Sequence, residues 1–68
     1  MSNTKRVVVQ GGGSNLYKIS ASSGWHYVYK VDVGFLTDRA KDIGKVRSLE
    51  DALAMIRSHS GRDIQEVD

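Results

Sequence analysis

From Trp25 to Phe35 the chain alternates without a break: Trp25, Tyr27, Tyr29, Val31, Val33 and Phe35 share one parity, and His26, Val28, Lys30, Asp32 and Gly34 share the other. A period of two marks a β-strand with unlike faces, because successive side chains point to opposite sides of the pleat. The larger set is expected to face the core. Slipping the register by one residue would put the rings into water and Lys30 and Asp32 into the interior, so the alternation sets the register of whatever sheet forms around it.

The flanking segments supply the rest of that sheet. Val7, Val8 and Val9 form a β-branched run that stops at Gly11, Gly12 and Gly13, and Leu16 to Ala21 alternates with Tyr17, Ile19 and Ala21 on one side and Leu16, Lys18 and Ser20 on the other. The two runs read as a hairpin. Ala21-Ser22-Ser23-Gly24 is a turn cluster leading into the strand at Trp25. After it, Thr37 to Asp42 is polar and turn-like, and Ile43 to Val46 is open between a fourth short strand and an ordered loop.

Ser48-Leu49-Glu50-Asp51 is a capping box, and Leu49, Ala52, Leu53 and Ile56 recur at helical spacing, so an amphipathic helix starts here. Glu50 and Asp51 suit its N-terminal end, Arg57 and His59 its C-terminal end, and Gly61 its left-handed stop. Asp63 to Val67 is a candidate last edge strand through Ile64. The expected fold is α+β: a small antiparallel sheet of three to four strands, ordered β-β-β-(β)-α-(β), with the helix lying on the Tyr27, Tyr29 and Val31 surface.

At 68 residues the chain reads as a single domain, 1–68, with 1–4 expected to lack order. A domain of this size buries only about 60% of its unfolded surface, and without cysteine it has no disulfide to add. Burial against a partner is therefore expected. Met1 to Arg6 has no apolar run after its basic residues, and no stretch is long enough to span a bilayer, so a cytoplasmic location is expected, with no membrane partner. The formal charge of +2 permits nucleic-acid binding without requiring it.

Motifs with chemical meaning are few. The three glycines follow a strand, as in a phosphate loop, but lead into a second strand instead of a helix N-terminus, so they read as a hairpin loop. His26, on the outward parity, reads as solvated, and His59 as a contact with the helix end; neither has partners at ligand spacing. No catalytic residue, metal, cofactor or small-molecule substrate is expected. Trp25 is a possible stacking platform for a base, although its parity places it at the end of the core.

Two surfaces remain. Lys18 and Lys30 project from the outward face while Arg39, Lys41, Lys45 and Arg47 crowd one connection, a candidate nucleic-acid contact interrupted by Asp32, Asp38 and Asp42. Val8, Leu16 and Val28 on the same outward face are candidates for meeting a second copy or another protein. From Gly24 to Ile56, through Gly24-Trp25 opening a strand and Ser48-Leu49-Glu50-Asp51-Ala52 opening a helix, the chain resembles the arm-type DNA-binding domains of phage-type integrases, where a three-stranded sheet precedes one helix. The resemblance implies DNA as a partner, by analogy of fold alone. The primary expectation is a noncatalytic protein-interaction module that self-associates, and the alternative is a nucleic-acid-binding module.

Overall fold

A computed structural model of the chain describes residues 4–12, 15–33 and 38–68. Its elements are β1 (Thr4–Val9), β2 (Leu16–Ser22), β3 (Trp25–Val33), β4 (Asp38–Val46), α1 (Leu49–Ser60) and β5 (Ile64–Val67). The strands form one antiparallel sheet in the order β4-β3-β2-β1-β5, one strand more than the upper expectation. Asp63 stays outside β5, and β4 is longer than the four residues considered for it. Asp38 to Asp42 are polar yet extended, because β4 is an edge strand that needs hydrogen bonds to β3 on one side only. Thr4, expected to be without order, opens β1 opposite Ser20, whereas residues 1–3 lie outside the described residues. So do Gly34 and Phe35, the expected end of the third strand.

The helix forms where its capping box places it. Ser48 is extended, and its Oγ accepts a hydrogen bond from the Asp51 amide at 3.1 Å; Gly61, at φ 70°, ends the helix in the left-handed region. Because β4 and β5 are opposite edges running in the same direction, α1 must cross the whole sheet between them. Four strand spacings amount to about 19 Å, and twelve helical residues extend about 18 Å. The helix is therefore just long enough for the crossing. Ala52 and Ile56 are fully buried beneath it with Val7, Val9, Tyr17, Ile19 and Val28, and Leu49, Leu53 and Met55 pack around that core.

The covered face is not the one expected. Tyr17 and Ile19 point inward as their alternation implies, but on β3 the inward residue is Val28, at 0% exposure, with His26 and Lys30 on the same side. Trp25, Tyr27, Tyr29 and Val31 occupy the opposite, helix-free face and are half-buried there. The cause is the β2–β3 turn. Only Ser23 and Gly24 lie between the paired residues Ser22 and Trp25, and both have positive φ, 53° and 80°, as a type I′ turn requires. Such a turn puts Trp25 on the same side as Ser22, Ser20 and Lys18. Once Tyr17 and Ile19 face the helix, the rings cannot.

On the other side of β3, a bulge adjusts β4 to the helix. Val28 pairs with Gly44 and Tyr29 with Asp42, which leaves Ile43 as the extra residue. The Asp42 carboxylate accepts from the Gly44 amide at 2.9 Å and holds the bulge closed. Gly44 has φ 152°, and a side chain there would come within 3.0 Å of the Met55 methyl, so glycine lets β4 pass beneath α1.

Candidate functional site

The helix-free face is built in rows that follow the strand register. One row is apolar, Val8, Leu16, Val31 and Ala40; the next is Arg6, Lys18, Tyr29 and Asp42; the third is Thr4, Ser20, Tyr27 and Lys45; and Ser22 pairs with Trp25 at the end of β3. Along β3, therefore, three aromatic residues stand in line, and cations flank them from both neighbouring strands.

Those cations lie against the rings. Lys18 Nζ is 5.0 Å from the centre of the Tyr29 ring, Lys45 Nζ is 4.6 Å from Trp25, and the Arg47 guanidinium carbon is 3.9 Å from Trp25. Contacts of this kind stabilise by about 0.5–1 kcal/mol at exposed sites, less than the rotamer entropy of a fixed Lys or Arg, so they bias these side chains toward the rings without locking them there. Among the described residues the one ion pair is Lys30 with Asp32, at 3.4 Å, on the other side of the sheet. Of the acids on the open side, Asp42 stands directly opposite Tyr29, where its carboxylate accepts from the Gly44 amide, whereas Glu66 on edge strand β5 and Asp68 just beyond it, exchanging backbone hydrogen bonds with Arg6, lie away from the rings.

Toward the apolar row the face deepens into a concavity of about 580 Å³, bordered by Arg6, Lys18, Arg39 and Asp68 over Leu16 and Val31. It combines an apolar floor with several donors, the composition expected of a surface that holds a ligand part by contact and part by charge.

The residues singled out in the sequence separate accordingly. Lys18, Lys45 and Arg47 are brought together around the rings, whereas Arg39 touches the concavity only from the edge of β4, because its pairing with Asp32 gives it the helix-side parity. Lys30 does not join them: its side chain is 13% exposed and its Nζ lies 5.5 Å from the centre of the buried Tyr17 ring, because even-numbered residues of β3 face the helix side. Lys41 pairs with Lys30 and shares that side. Val8 and Leu16 are on the open face, but Val28 is buried under α1 and is removed from the interaction face by the same inversion. His26 is likewise turned inward, with its Nδ1 buried and unpartnered among the described residues. Tyr27, Tyr29 and Arg6 are not among the site residues expected from the sequence, and Trp25, a candidate stacking platform there, lies on the open face and not at the end of the core to which its parity assigned it. The signal for the rings was the length of the turn, and for Arg6 its position opposite Lys18 in the first hairpin.

The helix side has a polar cluster of its own. The Tyr17 hydroxyl and His59 Nδ1 share a 2.7 Å hydrogen bond, with the rings edge to face at 5.6 Å, which ties the last turn of α1 to β2. Burial pushes the Tyr17 hydroxyl above the ordinary phenol value, and the Arg62 guanidinium pulls it the other way. Arg62 donates to the carbonyls of Gln10 and Gly12 at 3.4 and 3.2 Å, so the glycine segment serves as an acceptor for β5's approach.

Comparison with family models, curated proteins and solved structures finds no match. Nothing in it extends the resemblance to integrase arm domains. Among the described residues no helix is long and apolar enough to cross a membrane.

Proposed function

We propose that the protein binds nucleic acid across the helix-free face of its sheet and carries out no chemistry on it. The observation that carries this reading is the line of half-buried rings, Trp25, Tyr27 and Tyr29, with Lys18, Lys45 and Arg47 lying over them and unpaired with any described acid. Rings offer a face to bases of any sequence once the cations lying over Trp25 and Tyr29 swing away onto phosphates, which supply their counter-charge. A surface meeting only water has no need to keep three large rings half-exposed side by side.

The test is binding of the full chain to mixed-sequence oligonucleotides over a range of salt concentrations. Affinity should fall with added salt, with a slope of about 0.7–0.9 per phosphate neutralised. The double substitution Lys45→Glu and Arg47→Glu should abolish binding while leaving the circular dichroism spectrum intact; Arg6→Glu, on the far side of the rings, should weaken it. Binding that survives all three reversals, or none at low salt with the native chain, overturns the proposal.

One observation favours a second reading, self-association or capture of another protein. The row Val8, Leu16, Val31 and Ala40 is apolar across four strands of the same open face. A second copy seated there would supply the burial a domain this small lacks. Light scattering that shows a strict monomer over a wide concentration range would remove it.

A further inference from the structure

We infer that the nucleic acid is single-stranded, held with its bases unstacked from one another against the rings of Trp25, Tyr27 and Tyr29. The inference rests on the nucleic-acid reading above and adds the class of ligand. Two magnitudes decide it.

The first is the width of the platform. Five strands span about 19 Å from β4 to β5, and no described helix or strand covers the face opposite α1. The major groove of duplex DNA is about 12 Å wide and takes a helix or a two-stranded ribbon. The rings stand on β3, with a strand on one side and three on the other, so their row cannot reach base edges inside a groove before the flanking strands meet the phosphates. A flexible single strand has no such rim. It can lie along β3 with its bases turned onto the sheet.

The second magnitude is the period of the rings. Trp25, Tyr27 and Tyr29 occupy alternate positions of one strand, a repeat of about 6.7 Å. Successive bases within a duplex strand are about 3.4 Å apart. The ring repeat is thus twice the base repeat, which leaves space for one base between, or one over, each pair of rings. Bases can use it only if they have left their own stack, as they do in single strands.

The cations suit the same path. Lys18 on β2 and Lys45 on β4 are separated by two strand spacings, about 10 Å, with the rings between them. Arg47 extends the β4 side beside Trp25, and Arg6 borders the concavity beyond Tyr29. A backbone following β3 from Trp25 to Tyr29 stays within reach of a cation. The apolar floor formed by Leu16 and Val31 receives the part of the chain that passes beyond Tyr29.

Trp25 is the single tryptophan, so its fluorescence reports on the site directly. The full chain is titrated with a short oligothymidylate, with an oligouridylate of the same length, and with a blunt GC-rich duplex carrying an equal number of phosphates. The expected result is quenching of Trp25 and at least about tenfold tighter binding of one or both single strands than of the duplex, the scale of a single base stacked on an aromatic ring. Tyr27→Ala and Tyr29→Ala should each weaken single-strand binding about fivefold or more, and by a larger factor than they weaken duplex binding. Should either alanine variant unfold, Tyr27→Leu and Tyr29→Leu retain apolar bulk without a π face and should show the same loss, whereas Tyr→Phe at both positions should bind as the native chain does. Duplex binding equal to or tighter than single-strand binding overturns the inference but leaves the nucleic-acid reading standing, as does single-strand binding indifferent to both leucine variants. Failure to bind any of the three probes at low salt overturns both. A change in Trp25 fluorescence that follows protein concentration alone assigns the face to a second copy of the chain, and also overturns both.

Discussion

Tyr17 shows how a buried polar atom can be held without destabilising the fold. Its ring is 1% exposed, and its hydroxyl meets His59 Nδ1 at 2.7 Å. Such a bond contributes about 0.5–1.5 kcal/mol, so Tyr17→Phe should lower the neutral-pH unfolding free energy by that amount in urea denaturation. The same residue has a pH signature. Burial raises its folded-state value above the ordinary 10.0, which means that the folded protein prefers the neutral phenol. Below the unfolded value both states keep the proton and the contribution is complete; as pH rises past 10.0 the unfolded chain releases its proton first, and the contribution is lost on the way to the folded value. Stability should therefore decline in that alkaline window, and this part of the decline should be missing in Tyr17→Phe. An unchanged alkaline slope in the variant would show that Tyr17 is not its source.

The β2–β3 hairpin is the element that determines which surface this protein presents. Ser23 holds φ 53° without being glycine, a conformation that costs an ordinary residue about 1–2 kcal/mol. Asparagine tolerates it better and would create the Asn-Gly pair that two-residue turns favour. Ser23→Asn should raise the unfolding free energy by about 0.5–1 kcal/mol, read as a higher urea midpoint with an unchanged slope. If the turn does not hold the register, the midpoint will stay where it is. The helix, by contrast, was legible in full, since its cap, its apolar stripe and its terminating glycine are all local signals and all agree with one another. Strand β3 was legible as a strand but not as to its faces. The bulk of its odd-numbered residues argued for burial, while the two-residue turn, together with Tyr17 and Ile19, argued for Val28. The turn prevailed because backbone pairing leaves it no alternative, whereas large side chains can remain half in water.

At the scale of the molecule, one helix covers one face of a five-stranded sheet, and the other face is left for something else. The two faces should respond differently to the same substitution. Val28→Ala removes buried methyl groups beneath α1 and should cost about 2 kcal/mol. Val31→Ala, three residues along the same strand but on the open face, should cost less than about 1 kcal/mol. Equal losses measured by denaturation would mean that the open face is covered in solution, as the self-associating reading requires. The candidate site was legible only in pieces. Charge marks Lys18, Lys45 and Arg47, which do converge, but parity carries Lys30, Arg39 and Lys41 to the helix side, and the bulk of the rings points to a core that they do not join. Residues contributed by four separate strands cannot be grouped until the pairing among those strands is known.

The amino-acid order alone is enough to establish a strand at Trp25, a helix from Leu49 to Ser60 and their α+β combination, because periodicity and capping act over a few neighbouring residues. It sorts the side chains of β3 into two sets. Which set meets α1 is a property of the assembled sheet: the turn at Ser23 and Gly24 couples β3 to β2, β2 commits Tyr17 and Ile19 to the interior, and a helix that must cross from β4 to β5 can cover one face only.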